Sequence, residues 1–310
     1  MSAASILAAE RTLAQPGPGP MPEALLRALE LTVRSRIEGL LAGEHRASSL
    51  GEGTELAQVT PYQPGDDVRR IDWNATARTG EPHVRVHVAE RAVVTWLLLD
   101  VSASMTFGTA DRRKWDVAEG VVFAVGHLAS RRGNRLGLLT FGDREPAHRP
   151  PKAGQSGLLG VLVALRREPD TEPAGATSVG AALAKAARLM RQRALVFIVS
   201  DWRGPHDWRK PLLQLAGRHE VVAVEIRDAR EQELPDIGDL WLVDPETGRQ
   251  LRVDTRRKSL RARFAAGAAA ERADVARELG SLGVRHVVLD TSGDWLRTLA
   301  GFLRSERRRR

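Results

Sequence analysis

The stretch "AVVTWLLLDVSASM" (residues 92–105) decides the fold. Eight of its first nine residues are apolar or threonine, and the run ends at Asp100. A short apolar run without alternation is the pattern of a strand buried on both faces, as in a parallel sheet covered by helices. Two serines follow at alternate positions, giving D-x-S-x-S over Asp100, Ser102 and Ser104. In open α/β sheets ligands gather outside the carboxyl ends of the strands. Three oxygen-bearing side chains therefore stand where such a sheet keeps its chemistry.

The pattern extends downstream. "DRRKWDVAEGVVFAVGHLASRRG" predicts a long helix ending at Gly133, and "NRLGLLTFG" a strand. "QSGLLGVLVALRRE" and "SVGAALAKAARLMRQR" read as helices, and "ALVFIVSD" as a second continuous apolar strand. "HDWRKPLLQLAGR" reads as a helix with Pro211 near its start, and "HEVVAVEIRD" as a strand. Residues 236–254 suggest a hairpin around "PETG", before a helix at about 256–280, a strand "VRHVVLD" and a last helix. This alternation predicts an α/β fold with a doubly wound, mainly parallel sheet.

Upstream the material differs. "QPGPGPMP" (15–22) is a linker by composition, so residues 1–22 form an N-terminal segment. Leu26, Leu29, Val33, Ile37 and Leu40 recur at three- and four-residue steps, predicting an amphipathic helix over 23–43. Residues 44–91 mix turn signals with short runs such as "HVRVHVAE", the pattern of a small β-rich subdomain. Residues 92–303 then form the α/β domain with C-terminal additions, and 304–310 a basic tail.

The chain has 310 residues, 42% of them hydrophobic, and no cysteine. Disulfides and thiolate metal sites are excluded. The apolar runs are far shorter than the roughly 18 residues that cross a bilayer. The first residues lack the basic start of a signal peptide, so a cytoplasmic protein is expected. The formal charge of +8 concentrates in "RSERRRR" (304–310), whose five arginines and one glutamate supply half of it. Elsewhere the signs are interspersed, which makes nucleic acid an unlikely partner and the tail the only candidate for that reading. No GK dipeptide, H-E-x-x-H or G-x-S-x-G occurs, so a P-loop, a zincin site and a serine-hydrolase elbow are absent.

Two further loops complete the candidate constellation: Thr177 in "GATSVG" before a helix, and Asp201 after the second apolar strand. Two carboxylates and three neutral hydroxyls suit a hard cation that keeps several waters, Mg²⁺ or else Mn²⁺ or Ca²⁺. They leave a position for an incoming carboxylate. Plainer readings stand beside this one. The serines can cap the next helix, Ser178 rather than Thr177 can serve as a cap, and Asp201 can be a turn residue.

The D-x-S-x-S run with Thr177 and Asp201 resembles the metal-ion-dependent adhesion site of the von Willebrand factor A fold. The resemblance covers about residues 92–230. It implies direct metal contact by Ser102, Ser104 and often Thr177, with Asp100 and Asp201 usually acting through water. The segment "YQPGDDVRRIDWNATAR" (62–78) resembles the signature of the bacterial domain-of-unknown-function family 58. Tyr62, Gly65, Asp66, Arg69, Ile71, Asp72, Trp73, Ala77 and Arg78 fit it. That family is commonly encoded beside MoxR-type AAA+ ATPases. The resemblance implies a non-enzymatic, metal-dependent protein-interaction module, partnered by such an ATPase or by a client protein offering an acidic side chain, in chaperone-like maturation. The rivals are an Mg²⁺-dependent phosphohydrolase using Asp100 and a nucleic-acid binder using the tail. Within the signature, Trp73 is expected to be a packing anchor, the Asp and Arg residues either surface ion pairs or an interaction surface, and His83 and His87 exposed strand positions.

Overall fold

In the computed structural model the described residues are 17–22, 55–88, 93–129, 134–142, 146–165, 178–244 and 247–305. The expected helix over 23–43, Thr177, and the tail from residue 306 lie outside them. The chain divides into two compact units, Arg36–Ala92 and Met1–Ser35 with Val93–Arg310.

In the smaller unit, strands β1 (Glu55–Pro61) and β2 (His83–Val88) pair antiparallel, with Pro61 opposite His83. Between the two strands of this small unit the signature folds as a helix, α1 (Trp73–Thr79), an element that the β-rich pattern of the sequence did not announce. Asp72 caps it, its Oδ1 accepting from Asn74 N at 2.9 Å and Ala75 N at 3.1 Å, and Gly80 closes it in the left-handed region at φ 78°. An aspartate before and a glycine after are sufficient to stop a two-turn helix at both ends. The other Asp72 oxygen accepts from Arg85 Nε at 2.9 Å, a hydrogen bond that heads the causes holding this carboxyl below its ordinary value. Asp66 accepts from Gln63 N, and Gly65 takes φ 112°. Much of the signature is thus turn and cap chemistry. Trp73 departs from the packing role expected of it: it is 72% exposed, and Val68 of the same signature is 60% exposed.

The larger unit carries a six-stranded sheet of β3 (Val94–Asp100), β4 (Arg135–Phe141), β5 (His148–Ala153), β6 (Ala194–Ser200), β7 (Glu220–Arg227) and β10 (Arg285–Asp290). Its order is β10-β7-β6-β3-β4-β5, parallel except for β5, which runs antiparallel to β4. Residues of β3 and β6 are all buried, as unbroken apolar runs require when both faces are covered. On one face Val94, Trp96 and Leu98 pack with α4 (Val179–Leu189), α5 (Arg209–Ala216) and α6 (Lys258–Ser281). The intervening residues point the other way, toward α2 (Lys114–Ala129), which α3 (Gly154–Leu165) and α7 (Trp295–Ser305) join. Gly120 of α2 sits against the Trp295 ring, where a Cβ would meet Cζ2 at 2.3 Å, and Trp295 Nε1 donates to Pro18 O. The remaining strands, β8 (Asp239–Val243) and β9 (Gln250–Asp254), make the expected hairpin.

β5 is an addition to the expected elements. Its sequence, "HRPPKA", carries Pro150 and Pro151. Proline lacks a ladder donor and is tolerated only at an edge, which is where β5 lies. The doubly wound expectation otherwise holds. Numbered by their order along the chain, the six strands read 3-2-1-4-5-6 across the sheet. The chain leaves β3 toward one edge and resumes from β6 toward the other, which places a topological switch point between their carboxyl ends.

Candidate metal centre

Asp100 is the last residue of β3, and Asp201 directly follows β6, the strand paired with it. Asp100 Oδ1 accepts from Ser102 N at 3.0 Å, folding the chain into a tight turn, and Ala103–Thr106 form one 3₁₀ turn. The capping alternative for the serines fails at Ser102, whose side chain makes no cap bond. Instead Ser102 Oγ lies 3.1 Å from Ser104 Oγ, and Ser104 Oγ donates to Asp201 Oδ2 at 2.9 Å, across 97 residues of sequence. A second link joins the same two loops: Ser200 Oγ donates to Asp100 Oδ2 at 2.6 Å and accepts from Trp202 N.

The loop after β6 is strained in a specific way. Trp202 has φ 55°, the only positive value at a non-glycine among the described residues. Such a conformation costs about 1–3 kcal/mol and persists only where surroundings enforce it. They do so here: the Trp202 indole is buried, stands edge-on to Trp208 at 5.2 Å, and donates to Val224 O. The twist lets Asp201 Oδ1 accept from Arg203 N while Oδ2 faces the serines. Asp201 therefore shapes its own turn and joins the serine cluster at the same time.

Sequence reasoning misses three members. Lys114 opens α2 and its side chain is 0% exposed, with Nζ 2.6 Å from Asp201 Oδ2 and 2.7 Å from Glu231 Oε1. Ser200 bridges the loops as described. Gly142, after β4, has φ 86°, and a Cβ there would fall within 2.9 Å of Asp100 Oδ1 and Ser102 N. Gly142→Ala is expected to destabilise the chain by about 2–4 kcal/mol through left-handed strain and the clash together, read as a shift in the urea midpoint. An unchanged midpoint would show that the β4 loop is free to move away. Ser178, in contrast, accepts from Ala181 N and caps α4, the structural role weighed for it.

The electrostatics divide the two aspartates. Burial, then the charge of Asp201, push the Asp100 carboxyl up to about 7, against hydrogen bonds from Ser200 and Ser102. Burial alone would also raise Asp201, but the Lys114 ammonium leads the opposing influences and holds it below the usual carboxylate range. Lys114 itself is raised, since its two carboxylates outweigh its burial. Without a metal the centre thus holds one ion-paired carboxylate and one poised near neutrality.

The donor set fits a small hard cation. Oxygens in adjacent positions of an octahedral Mg²⁺ shell lie about 3.0 Å apart, given metal–oxygen distances of about 2.1 Å. The serine oxygens at 3.1 Å are spaced that way. Asp201, already accepting from Arg203, Ser104 and Lys114, suits an outer place reached through water. No group of three His, Asp or Glu residues that could hold a metal occurs among the described residues, so a cation at this cluster would draw on the serine hydroxyls.

Strand order, switch point and the oxygen-bearing loops after β3 and β6 define a von Willebrand factor A-like α/β domain. Residues 58–274 match the family described as protein of unknown function DUF58, and the chain belongs to that family. The uncharacterized protein Rv1480 of Mycobacterium tuberculosis is 42% identical over 292 residues, covering 93% of this chain and 91% of that protein. The uncharacterized protein Mb1516 of Mycobacterium bovis matches to the same extent. Among solved structures, BatB from Bacteroides thetaiotaomicron superposes with a TM-score of 0.47 at 14% identity, over 70% of this chain and all of that one. The SpRpn10 VWA domain superposes at 0.36 and 16% identity, over 68% of this chain and 94% of that one. No helix among the described residues is long and apolar enough to cross a membrane.

Proposed function

We propose that this protein is a non-enzymatic interaction module. It binds a divalent cation, Mg²⁺ before Mn²⁺ or Ca²⁺, at Ser102 and Ser104, with Asp100 and Asp201 behind them and Thr177 as a further ligand. When bound, the cation supplies an electrophilic position that an acidic side chain of a partner protein completes. The observation that carries this reading is the unbroken run Ser102 Oγ, Ser104 Oγ, Asp201 Oδ2, with contacts of 3.1 and 2.9 Å. The chain's own residues orient those oxygens: the Asp100 turn aims the serines, Trp202 aims Asp201, and Lys114 fixes Asp201 in its charged form. The family resemblance supplies the partner class, a MoxR-type AAA+ ATPase, or a client protein, in chaperone-like maturation. The cytoplasm, where such an ATPase works, is the expected compartment.

Adding Mg²⁺ to EDTA-treated protein should stabilise it, by about 2.7 kcal/mol at a hundredfold excess over the dissociation constant. Ser102→Ala and Asp100→Asn should abolish that gain. Capture of the ATPase should fail in EDTA and in Asp100→Asn. Equal melting with and without every divalent metal tried would remove the cation from the mechanism.

A further inference from the structure

The β8–β9 hairpin stands apart from the six-stranded sheet, and each of its strands has the other as its principal neighbour. A two-stranded sheet is marginal alone, and more strands with a hydrophobic face are needed for independent stability. This one carries apolar side chains on both faces. Trp241 and Val243 point to one side, Leu240 and Leu242 to the other. Leu251, opposite Leu242, shares the second face. Trp241, Val243 and Leu251 are exposed.

The backbone of β8 has an open edge. Asp244 N donates to Arg249 O at 2.9 Å and Thr255 N to Gly238 O at 2.8 Å, one at each end of the ladder. Both pairs continue the register in which Leu240 faces Val253 and Leu242 faces Leu251. Hydrogen-bonded pairs alternate along an antiparallel ladder, so Leu240 and Leu242 turn their backbone groups toward β9. The N–H and C=O groups of Asp239, Trp241 and Val243 therefore point outward, and no other strand among the described residues pairs with them.

The two edges of the hairpin differ in charge. Edge strands are ordinarily guarded by basic residues or proline. β9 has Arg252 at its centre, with Arg249 before it and Arg256 and Arg257 after. β8, "DLWLV", has no Lys, Arg or Pro. Two β9 strands paired about their centres would set Arg252 against Arg252, which is destabilising. Two β8 strands paired in the same way set Trp241 against Trp241, Leu240 against Leu242 and Asp239 against Val243, with no like charges opposed. In that register every outward N–H and C=O of one strand meets its counterpart on the other.

We infer that the β8 edge is a self-association surface, where two copies of this chain join antiparallel about a two-fold axis at Trp241 and merge their hairpins into one four-stranded sheet. Leu240, Leu242, Leu251 and Val253 of both copies then form one continuous apolar face. Strands of five residues bury far less than the roughly 1,600 Å² of a standard interface, so the dimer is of the transient, concentration-dependent class. The surface does not involve the metal centre.

The test is sedimentation velocity of the full chain over a hundredfold range of micromolar concentration. Wild type should shift from monomer to dimer, in Mg²⁺ and in EDTA alike. Trp241→Lys, which sets two ammonium groups against each other, should weaken association more than tenfold. Val243→Pro should do the same by removing an outward donor, at an edge position where proline is tolerated. Both side chains are exposed, and unaltered urea midpoints check that folding is intact. Gln250→Pro, the counterpart on the β9 edge, should leave association unchanged. Oxidation of single-cysteine variants reads the register separately, since the chain has no cysteine. Asp239→Cys and Val243→Cys should cross-link when mixed, because the antiparallel pair brings these positions to a Cα separation of about 5.5 Å, within disulfide reach. Neither should cross-link with itself. Wild type that stays monomeric at every concentration would overturn the proposal, as would a dimer that Trp241→Lys and Val243→Pro both leave intact. Either cysteine variant cross-linking with itself as readily as with the other would put the copies in a different register and end it as well.

Discussion

Lys114→Met is expected to destabilise the metal-free protein by about 3–5 kcal/mol at pH 8, the usual consequence of removing one member of a buried ion pair. Methionine keeps most of the length and packing of the lysine stem but deletes the charge. Asp201 would then lose its counter-ion and Glu231 would keep only Arg203, 3.4 Å away, where Lys114 Nζ stood 2.6 and 2.7 Å from the two carboxylates. The deficit should shrink as the pH falls, because the Asp201 carboxyl, no longer held charged by the ammonium, can then take up a proton. Lys114→Met combined with Asp201→Asn should recover part of the loss, since it removes the Asp201 charge left without a counter-ion. Urea unfolding of the two single variants and the double one measures the coupling directly. A loss below about 1 kcal/mol, in the range of an exposed pair, would mean that Lys114 is not the counter-ion of the centre. The same variant is expected to bind Mg²⁺ more tightly, since the incoming ion no longer meets a resident cation.

Two buried groups should titrate in opposite senses over nearly the same pH range. His219 is buried, neither ring nitrogen has a partner, and burial followed by Arg218 and Arg193 lowers it to about 4. Its contribution is complete above its ordinary value of 6.5 and is lost as the pH falls toward 4, about 3 kcal/mol at roughly 1.4 kcal/mol per pH unit. Asp100 runs the other way. Its carboxyl is raised from 3.8 to about 7, so its contribution is complete below 3.8 and is lost as the pH rises through 7, about 4 kcal/mol in the absence of metal. The wild type in EDTA should therefore show a shallow pH profile from 4 to 6.5, although each component is steep. His219→Gln should expose the Asp100 component, with stability increasing on acidification. Asp100→Asn should expose the His219 component, with stability decreasing. Parallel profiles for all three proteins would show that neither group is buried as the packing implies.

The two aspartates and two serines were legible because a parallel sheet brings the carboxyl ends of its strands to one edge whatever the strand order. Asp100 and Asp201 each follow a continuous apolar run, and that suffices to place them together. Lys114 carried no comparable signal. It stands in "DRRKWD" beside two arginines, among 47 basic residues in the chain, and its burial depends on where the start of α2 docks. Ser200 reads as the end of a strand and Gly142 as a turn, and only the packing of β3 between β4 and β6 gives them partners. The helix inside the signature was hidden because two turns carry too short an apolar period. Its evidence is the Asp72 cap and the Gly80 stop, visible once read as a pair.

The amino-acid sequence alone determined which segments are buried strands, that the sheet is mainly parallel, and which hydroxyl and carboxylate side chains stand at the carboxyl edge of its strands. Those features follow from hydrophobic runs and their ends, which are local properties of the chain. The tertiary structure decided the rest: the lysine that holds Asp201 charged, the left-handed tryptophan that aims it, and the bare glycine beneath Asp100. Each depends on residues far apart in sequence meeting in a medium of low polarity, where an unpaired charge or a surplus methyl group costs kilocalories.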